Sequence, residues 1–145
     1  MPAVQSSYAA QHARWVEGMI PNMVPNTIIS RIAEDSEGIG FGKVAVAGSA
    51  DDLVVDSEAS AKFVGIAVLA TNLAGEKYEK GDTVAVLIFG EIVVAASEAV
   101  AVGDPVYYTP GTGVLSKTSS SNTLIAGAEW ATSTSAAGLA ILRLK

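Results

Sequence analysis

The chain has 145 residues, enough for one domain with a sizeable core, and it contains no cysteine, which excludes disulfides and thiolate metal sites. Nine basic against fifteen acidic residues give a formal net charge of -6, which argues against the clustered cations that a nucleic-acid partner requires. Only 17% of the residues are charged while 50% are hydrophobic, a balance that favours a protein whose surface is partly covered by another protein.

No apolar run in the sequence is long enough to cross a membrane as a helix. The N-terminus also lacks the basic region followed by an apolar core that marks a secretory signal. We therefore expect no membrane partner and a protein that stays in the compartment where it is made.

Residues 1–26 differ from the rest of the chain and are interpreted as an N-terminal arm. Prolines at positions 2, 21 and 25 bracket this segment, which favours a short helix or an irregular stretch lying on the core. Alternatively, the arm reaches a neighbouring molecule, because large aromatic rings anchor interfaces. The larger side chains fall near helical spacing: Tyr8, His12, Trp15, Val16 and Met19.

Residues 27–145 are interpreted as a single β domain built from short strands between turn residues. Many short strands at regular spacing predict an all-β fold, either a compact β-barrel or a jelly-roll-like sandwich. The predicted strands are Thr27–Ala33, Lys43–Ala47, Leu53–Val55, Phe63–Ala70, Thr83–Phe89, Glu91–Ala95, Pro105–Tyr108, Thr123–Trp130 and Leu139–Leu144.

Two similar units, beginning at Gly81 and Gly103, lie at the centre of this domain. Each opens with Gly-Asp and continues into a β-rich segment that glycine interrupts. We expect both glycines to adopt positive φ, and Asp82 and Asp104 to fix the turns by accepting hydrogen bonds from nearby backbone amides.

The strand predicted at Thr83–Phe89 is apolar on both faces, so both faces should be covered. The second cover is expected to be a loop, the N-terminal arm or another subunit. One face holds Val84, Val86 and Ile88, and the other holds Ala85, Leu87 and Phe89.

No motif in the sequence predicts catalysis, a cofactor or a metal site. His12 is the only histidine and has no evident scaffold, and the alternating glycines at 38, 40 and 42 lack the Lys-Ser/Thr pair of a phosphate loop. Close backbone packing at a bend explains these glycines better. Paired acids such as Asp51–Asp52 are interpreted as solvated turn residues, since no run matches a calcium-binding loop.

Five segments spread over nearly the whole chain resemble the structural cement (capsid decoration) proteins of tailed bacteriophages. The resemblance is carried by apolar and glycine positions in a common order. The segments are GMIPNMVPNTIISR (18–31), EGIGFGKVAVAG (37–48), FVGIAVL (63–69), VAVGDPVYY (100–108) and AEWATSTSAAGLAILRL (128–144).

This resemblance implies a compact β-barrel or jelly roll on the outside of the virion, made in the host cytoplasm. It implies binding to the major capsid protein, bridging of its subunits, and homo-oligomers, with dimers expected before trimers. From the residues themselves we expect no enzymatic activity. We expect the interface with the capsid or with other copies to include Tyr8, Trp15, Met19, Ile20, Leu87 and Phe89.

A carbohydrate-binding module for host adhesion is the alternative. In that case Tyr107, Tyr108 and Trp130 should be exposed on one face, where they could stack on a sugar ring. A core tyrosine and an interface tryptophan are the competing interpretation of these residues.

Overall fold

The structure, a computed structural model, describes residues 15–56, 62–72 and 75–145. Within these ranges the chain is all-β, as predicted, and no described residue belongs to a helix. No helix that could cross a membrane occurs among them. The eleven strands found there are β1 (Thr27–Ala33), β2 (Ile39–Gly40), β3 (Val44–Ala47), β4 (Leu53–Asp56), β5 (Phe63–Ala67), β6 (Lys77–Tyr78), β7 (Thr83–Ala96), β8 (Pro105–Tyr108), β9 (Leu115–Ser116), β10 (Thr123–Trp130) and β11 (Gly138–Leu144).

Strand β7 is the longest element, with 14 residues, and it belongs to two closed sets of strands. Its first half pairs with β1 and β5, and the order β1-β4-β3-β5-β7 closes on itself as a five-stranded barrel. Its second half pairs with β11, and the order β7-β11-β10-β8-β9 returns to β7 through the pair Ala96–Leu115. The two rings therefore share one strand, and the predicted barrel-like architecture is confirmed.

The prediction that Gly90 separates two strands is wrong, because β7 continues through it. Gly90 adopts a φ of 119°, a conformation that side-chain-bearing residues rarely take. A Cβ atom added at this position would lie 2.6 Å from the Cβ of Asn26. The glycine thus keeps the strand continuous while the segment before β1 crosses it at close range.

The core has two parts, one inside the barrel and one between the rings. The barrel interior contains Ala45, Ala67 and Val84 from its own strands, together with Ile39 of β2 and Tyr78 of β6. The larger part unites residues on the outer face of the barrel with the inner face of the second ring. It includes Val44, Val46, Ile66, Leu87, Ile92, Tyr108, Trp130 and Leu142. The face of β7 that holds Ala85 and Leu87 is therefore covered by the chain's own second ring.

A β-bulge in β7 changes which side chains reach the surface. Leu87 pairs with Ile28 and Phe89 pairs with Thr27, so Ile88 is the extra residue. Simple alternation predicts Ile88 on the same buried face as Val84, but it is instead exposed, because the bulge shifts the register. Phe89 is 45% exposed and Leu87 has no exposed surface.

The two Gly-Asp turns have matching geometry, as predicted. The Asp82 carboxylate accepts a hydrogen bond from the Glu79 backbone amide at 2.8 Å, and the Asp104 carboxylate accepts one from the Ala101 amide at 2.9 Å. The preceding glycines have φ values of 91° and 89°. Each turn thus positions the start of a strand, one in each ring.

We predict that replacing Gly90 by alanine destabilises the fold more than the same change at Gly81. Both glycines have positive φ, but only Gly90 has neighbouring atoms within 4 Å of an added Cβ. Gly81→Ala should cost about 1–2 kcal/mol from backbone strain alone, whereas Gly90→Ala should cost about 3 kcal/mol or more because crowding adds to the strain. Equal losses in urea unfolding would contradict the role assigned to the crossing at Asn26.

Candidate functional site

A shallow hollow lies where β7 passes from one ring to the other, and we call it the β7 hollow. Its volume is about 290 Å³, and its apolar wall includes Val24, Pro25 and Phe89. The bulge turns Phe89 outward, and Gly90 lets the segment carrying Val24 and Pro25 approach the strand. The remaining lining residues are Gly90, Glu91, Arg143, Leu144 and Lys145.

Exposed apolar side chains concentrate around this hollow. Met23, which precedes Val24, is fully exposed, and Ile88 precedes Phe89 in the bulge. An exposed apolar area rimmed by polar side chains on a folded domain marks an interaction surface more often than scattered single residues do.

A row of charged side chains borders the hollow on three adjacent strands. The strand registers place Arg143 of β11 between Glu91 of β7 and Glu129 of β10. Arg143 donates from Nη2 to Glu91 Oε1 at 2.7 Å and from Nη1 to Glu129 Oε1 at 2.9 Å. Lys145 Nζ lies 3.0 Å from the same oxygen of Glu129. Opposite charges on directly opposed positions stabilise the sheet at this point.

Glu91 also ties the N-terminal segment to the sheet, because Asn22 Nδ2 donates to Glu91 Oε2 at 2.7 Å. The Glu91 residue is only 6% exposed. Burial raises the pKa of this carboxyl group, but the hydrogen bonds from Asn22 and Arg143 outweigh burial, so the pKa lies below its ordinary value. The carboxylate therefore stays ionised and holds both partners.

The pKa values of Arg143 and Glu129 are also shifted by their contacts within the row. The hydrogen bonds to Glu91 and Glu129 raise the pKa of Arg143 above its ordinary value. The hydrogen bond from Lys145, followed by that from Arg143, lowers the pKa of Glu129. Glu91 and Glu129 are thus ionised near neutral pH, with the cationic Arg143 between them.

The described part of the predicted arm lies against the β domain. The Gly18 amide donates to the Val93 carbonyl at 2.8 Å, and the Leu69 amide donates to the Gly18 carbonyl at 2.9 Å. The Val93 amide in turn donates to the Met19 carbonyl at 2.9 Å, and Ile20 packs against the larger core. The predicted domain boundary at residue 26 stays a prediction.

The predicted interface residues differ in their exposure to solvent. Phe89 lines the β7 hollow, whereas Leu87 lies inside the core and, against our expectation, contributes no surface. Trp15, Met19 and Ile20 are partly buried, and Tyr8 and His12 lie outside the described residues.

The carbohydrate-binding alternative is wrong, because two of the three aromatic side chains that it requires to be exposed are buried. Trp130 has no exposed surface and Tyr108 is 2% exposed, since both belong to the core between the rings. Tyr107 is half-buried and pairs with Leu124 across β8 and β10. The three rings therefore form no exposed platform for a sugar.

A larger hollow, of about 450 Å³, is less suited to an interface. Its walls include Val16, Phe41 and Leu69, and its polar groups include Glu17 and Glu76. Glu17 is already paired with Lys43, whose Nζ lies 2.7 Å from Glu17 Oε1. Within the described ranges, no group of three or more potential metal-ligating side chains was found.

The sequence analysis did not predict the charged row, although Glu91, Glu129 and Arg143 lie on predicted strands. Alternation in LAILRL places Arg143 on the face opposite Leu142, which is confirmed by their burial. It does not say which residues of other strands lie opposite Arg143. That information is in the strand register, which connects positions 52 and 14 residues apart.

We predict that Glu91→Gln removes a pH-dependent part of the stability. Because the folded-state pKa of Glu91 is lowered, its contribution is complete above the unfolded-state pKa of about 4.3 and is lost as pH falls through the folded-state value. The variant should unfold about 1–3 kcal/mol more easily at pH 7, with a smaller difference at pH 3. The measurement is denaturant unfolding across this range.

Glu37→Gln, a change at an exposed position, is the control for this prediction and should leave the free energy of unfolding at pH 7 nearly unchanged. A wild-type and Glu91→Gln difference that is constant from pH 7 to pH 3 would contradict the assigned role of the ionised carboxylate.

Comparisons of the sequence and of the fold relate this chain to structural proteins of phages. The family model described as "Structural cement protein (E217 gp24/Pam3 gp6)" matches residues 4–145. A chain in the solved capsid of Myoviridae phage XM1 has the same fold, with a TM-score of 0.80 at 17% identity over 99% of this chain and 98% of that chain. The head fibre gp8.5 N base of bacteriophage phi29 gives a TM-score of 0.47 at 17% identity, over 82% and 95% of the two chains. No curated protein matches the sequence. The chain belongs to the structural cement protein family of phages.

Proposed function

We propose that this chain binds the outer surface of the mature phage head, where it bridges neighbouring major capsid protein subunits and stabilises the shell. Membership of a phage structural cement family supports a capsid-associated structural role. The single observation that carries the finer proposal is the cluster of exposed apolar side chains around Phe89, on a strand that both rings hold in place.

The apolar cluster suits an anchoring role. Aromatic side chains that fill a partner's pocket supply much of the energy of an interface, while surrounding residues exclude water. Phe89 and Met23 offer the large exposed apolar surfaces, and the ion-paired Arg143 and Lys145 form a polar rim. This is the arrangement of an apolar centre and a polar edge that protein interfaces share.

The rigidity of the site also favours binding. β7 is hydrogen-bonded to strands of both rings, and the Glu91–Arg143 pair fixes the sheet next to the hollow. A surface that is already ordered loses little conformational entropy when it binds.

Stabilisation of the shell then follows from mass action. A protein that binds only the mature arrangement of capsid subunits shifts the equilibrium toward that arrangement. Copies that contact two subunits at once gain from effective concentration without any chemical step. Self-association as a dimer, or next as a trimer, remains a prediction that would add further bridging contacts.

We predict that Phe89→Ala weakens binding to purified heads that lack the protein by about tenfold, the loss typical of an interface anchor. The same variant should lower the temperature at which decorated heads rupture. Val102→Ala is the matched control, since Val102 is exposed on the turn before β8, away from the hollow. Unchanged head binding by Phe89→Ala, with folding intact, would show that the β7 hollow is not a contact.

We also predict that a chain lacking residues 1–14 binds heads more weakly, because Tyr8 is proposed as a second anchor. The full-length Tyr8→Ala variant separates the aromatic ring from the length of the segment. If both variants protect heads from heat as well as the unaltered chain does, the N-terminal segment is not part of the interface.

A further inference from the structure

Within the described part of the chain, one edge of strand β1 is without a neighbouring strand over most of its length. One side of β1 pairs with β7 from Thr27 to Ile32. The other side pairs with β4 only through Ile32 and Ala33, because β4 begins at Leu53. Among the described residues, no strand lies beside positions 27–31 on that second side.

The hydrogen-bond pattern shows which backbone groups face this edge. In an antiparallel pair, successive residues point alternately toward and away from the partner strand. Ala33 points toward the β7 side, since its amide donates to the Asp82 carbonyl, whereas the Ile32 amide donates to the Asp52 carbonyl on the β4 side. Ser30 is opposite Ala85, whose carbonyl accepts from Val68 on the far side of β7.

Ile28 and Ser30 therefore direct their amide and carbonyl groups to the free edge. Of these four groups, the Ser30 carbonyl accepts a hydrogen bond from Arg31 Nη1 at 2.9 Å. The ion pairs of the described residues include no carboxylate on Arg31. A guanidinium group that shields a strand edge in this way protects it from indiscriminate pairing until a suitable partner replaces the contact.

The side chains along the edge add an apolar component. Ile28 and Ile32 point to the same side of β1 and are 43% and 39% exposed. They flank Ser30, which is small and also exposed. Within the ranges that the structure describes, the edge thus combines backbone groups without a strand partner, two apolar side chains on one side and one cation that has no carboxylate partner.

We propose that an extended segment of the capsid protein adds to β1 as a further strand, pairing with Ile28 and Ser30. This inference rests on the proposed function and specifies the chemistry of the partner. Strand addition supplies affinity through main-chain hydrogen bonds and specificity through alternate side chains. The segment should carry apolar residues at alternate positions, facing Ile28 and Ile32, and a carboxylate within reach of Arg31.

A second copy of this chain fits the edge less well. Two β1 edges paired antiparallel about Ser30 would bring the two Arg31 side chains to neighbouring positions across the pair. The two guanidinium groups would repel each other, and neither would gain a carboxylate. Charge therefore favours an acidic segment from a different protein.

The test compares Ser30→Pro with Ser30→Ala in binding to purified heads that lack the protein. Proline removes the outward amide and is tolerated at an edge strand, while alanine keeps that amide and removes only the hydroxyl. Ser30→Pro should bind about tenfold more weakly, the loss expected for one or two main-chain hydrogen bonds. Ser30→Ala should bind like the wild type, and denaturant unfolding of both variants verifies that they fold.

Arg31→Glu and Arg31→Lys test the same edge without proline. Arg31→Glu should weaken head binding by at least as much as Ser30→Pro, because it opposes the proposed carboxylate, and Arg31→Lys should retain most of the affinity. Equal binding by Arg31→Glu and the wild type would overturn the proposed acidic partner.

The outcomes distinguish this inference from the function on which it rests. If the wild type does not bind heads, the proposed function fails and the inference fails with it. If the wild type, Ser30→Pro and Ser30→Ala bind equally, strand addition alone is overturned. If Ser30→Pro instead converts a dimer to a monomer in sedimentation while head binding is unchanged, the edge belongs to a second copy and the proposal is wrong.

Discussion

The sharing of β7 between two closed rings is the constraint on which the rest of the structure depends. The first half of the strand closes the barrel with β1 and β5, and the second half continues into the ring that contains β11. Because both rings need this strand, its outer face in one ring packs on the inner face of the other. Leu87, Ile92 and Trp130 consequently share one core. A chain with small, aliphatic side chains obtains in this way a large common core without helices.

The passage of β7 from one ring to the other also creates the exposed surface around Phe89. A strand that serves two rings must change its register and direction, and the bulge at Ile88 and the positive φ of Gly90 accomplish this. The same irregularities turn Phe89 toward solvent and leave room for Val24 and Pro25. The surface proposed to bind the capsid therefore arises from the geometry that closes the fold, and the Glu91–Arg143 pair stabilises that geometry next to it.

The fold is shared with a chain of the phage XM1 capsid although only 17% of residues are identical. Such low identity is understandable when the interior needs apolar residues of suitable volume at alternate positions rather than particular ones. The bulge at Ile88 and the positive φ of Gly90 are departures from regular alternation in this chain. The proposed anchor Phe89 lies at one of these departures, whereas the proposed strand-addition edge of β1 keeps regular alternation, with Ile28 and Ile32 exposed on one side.

The sequence by itself determined the all-β class, most strand positions and the two Gly-Asp turns. These depend on local properties: alternation, β-branched residues, and the ability of Gly81 and Gly103 to adopt positive φ. Only the tertiary structure decided that Leu87 and Trp130 are buried, that Phe89 is exposed, and that Arg143 lies between Glu91 and Glu129. Alternation assigns a residue to a face, but the cover over that face and the register across it depend on strands distant in the chain. A bulge at Ile88 reverses the alternation after it, and its position is visible only once β1 is paired with β7.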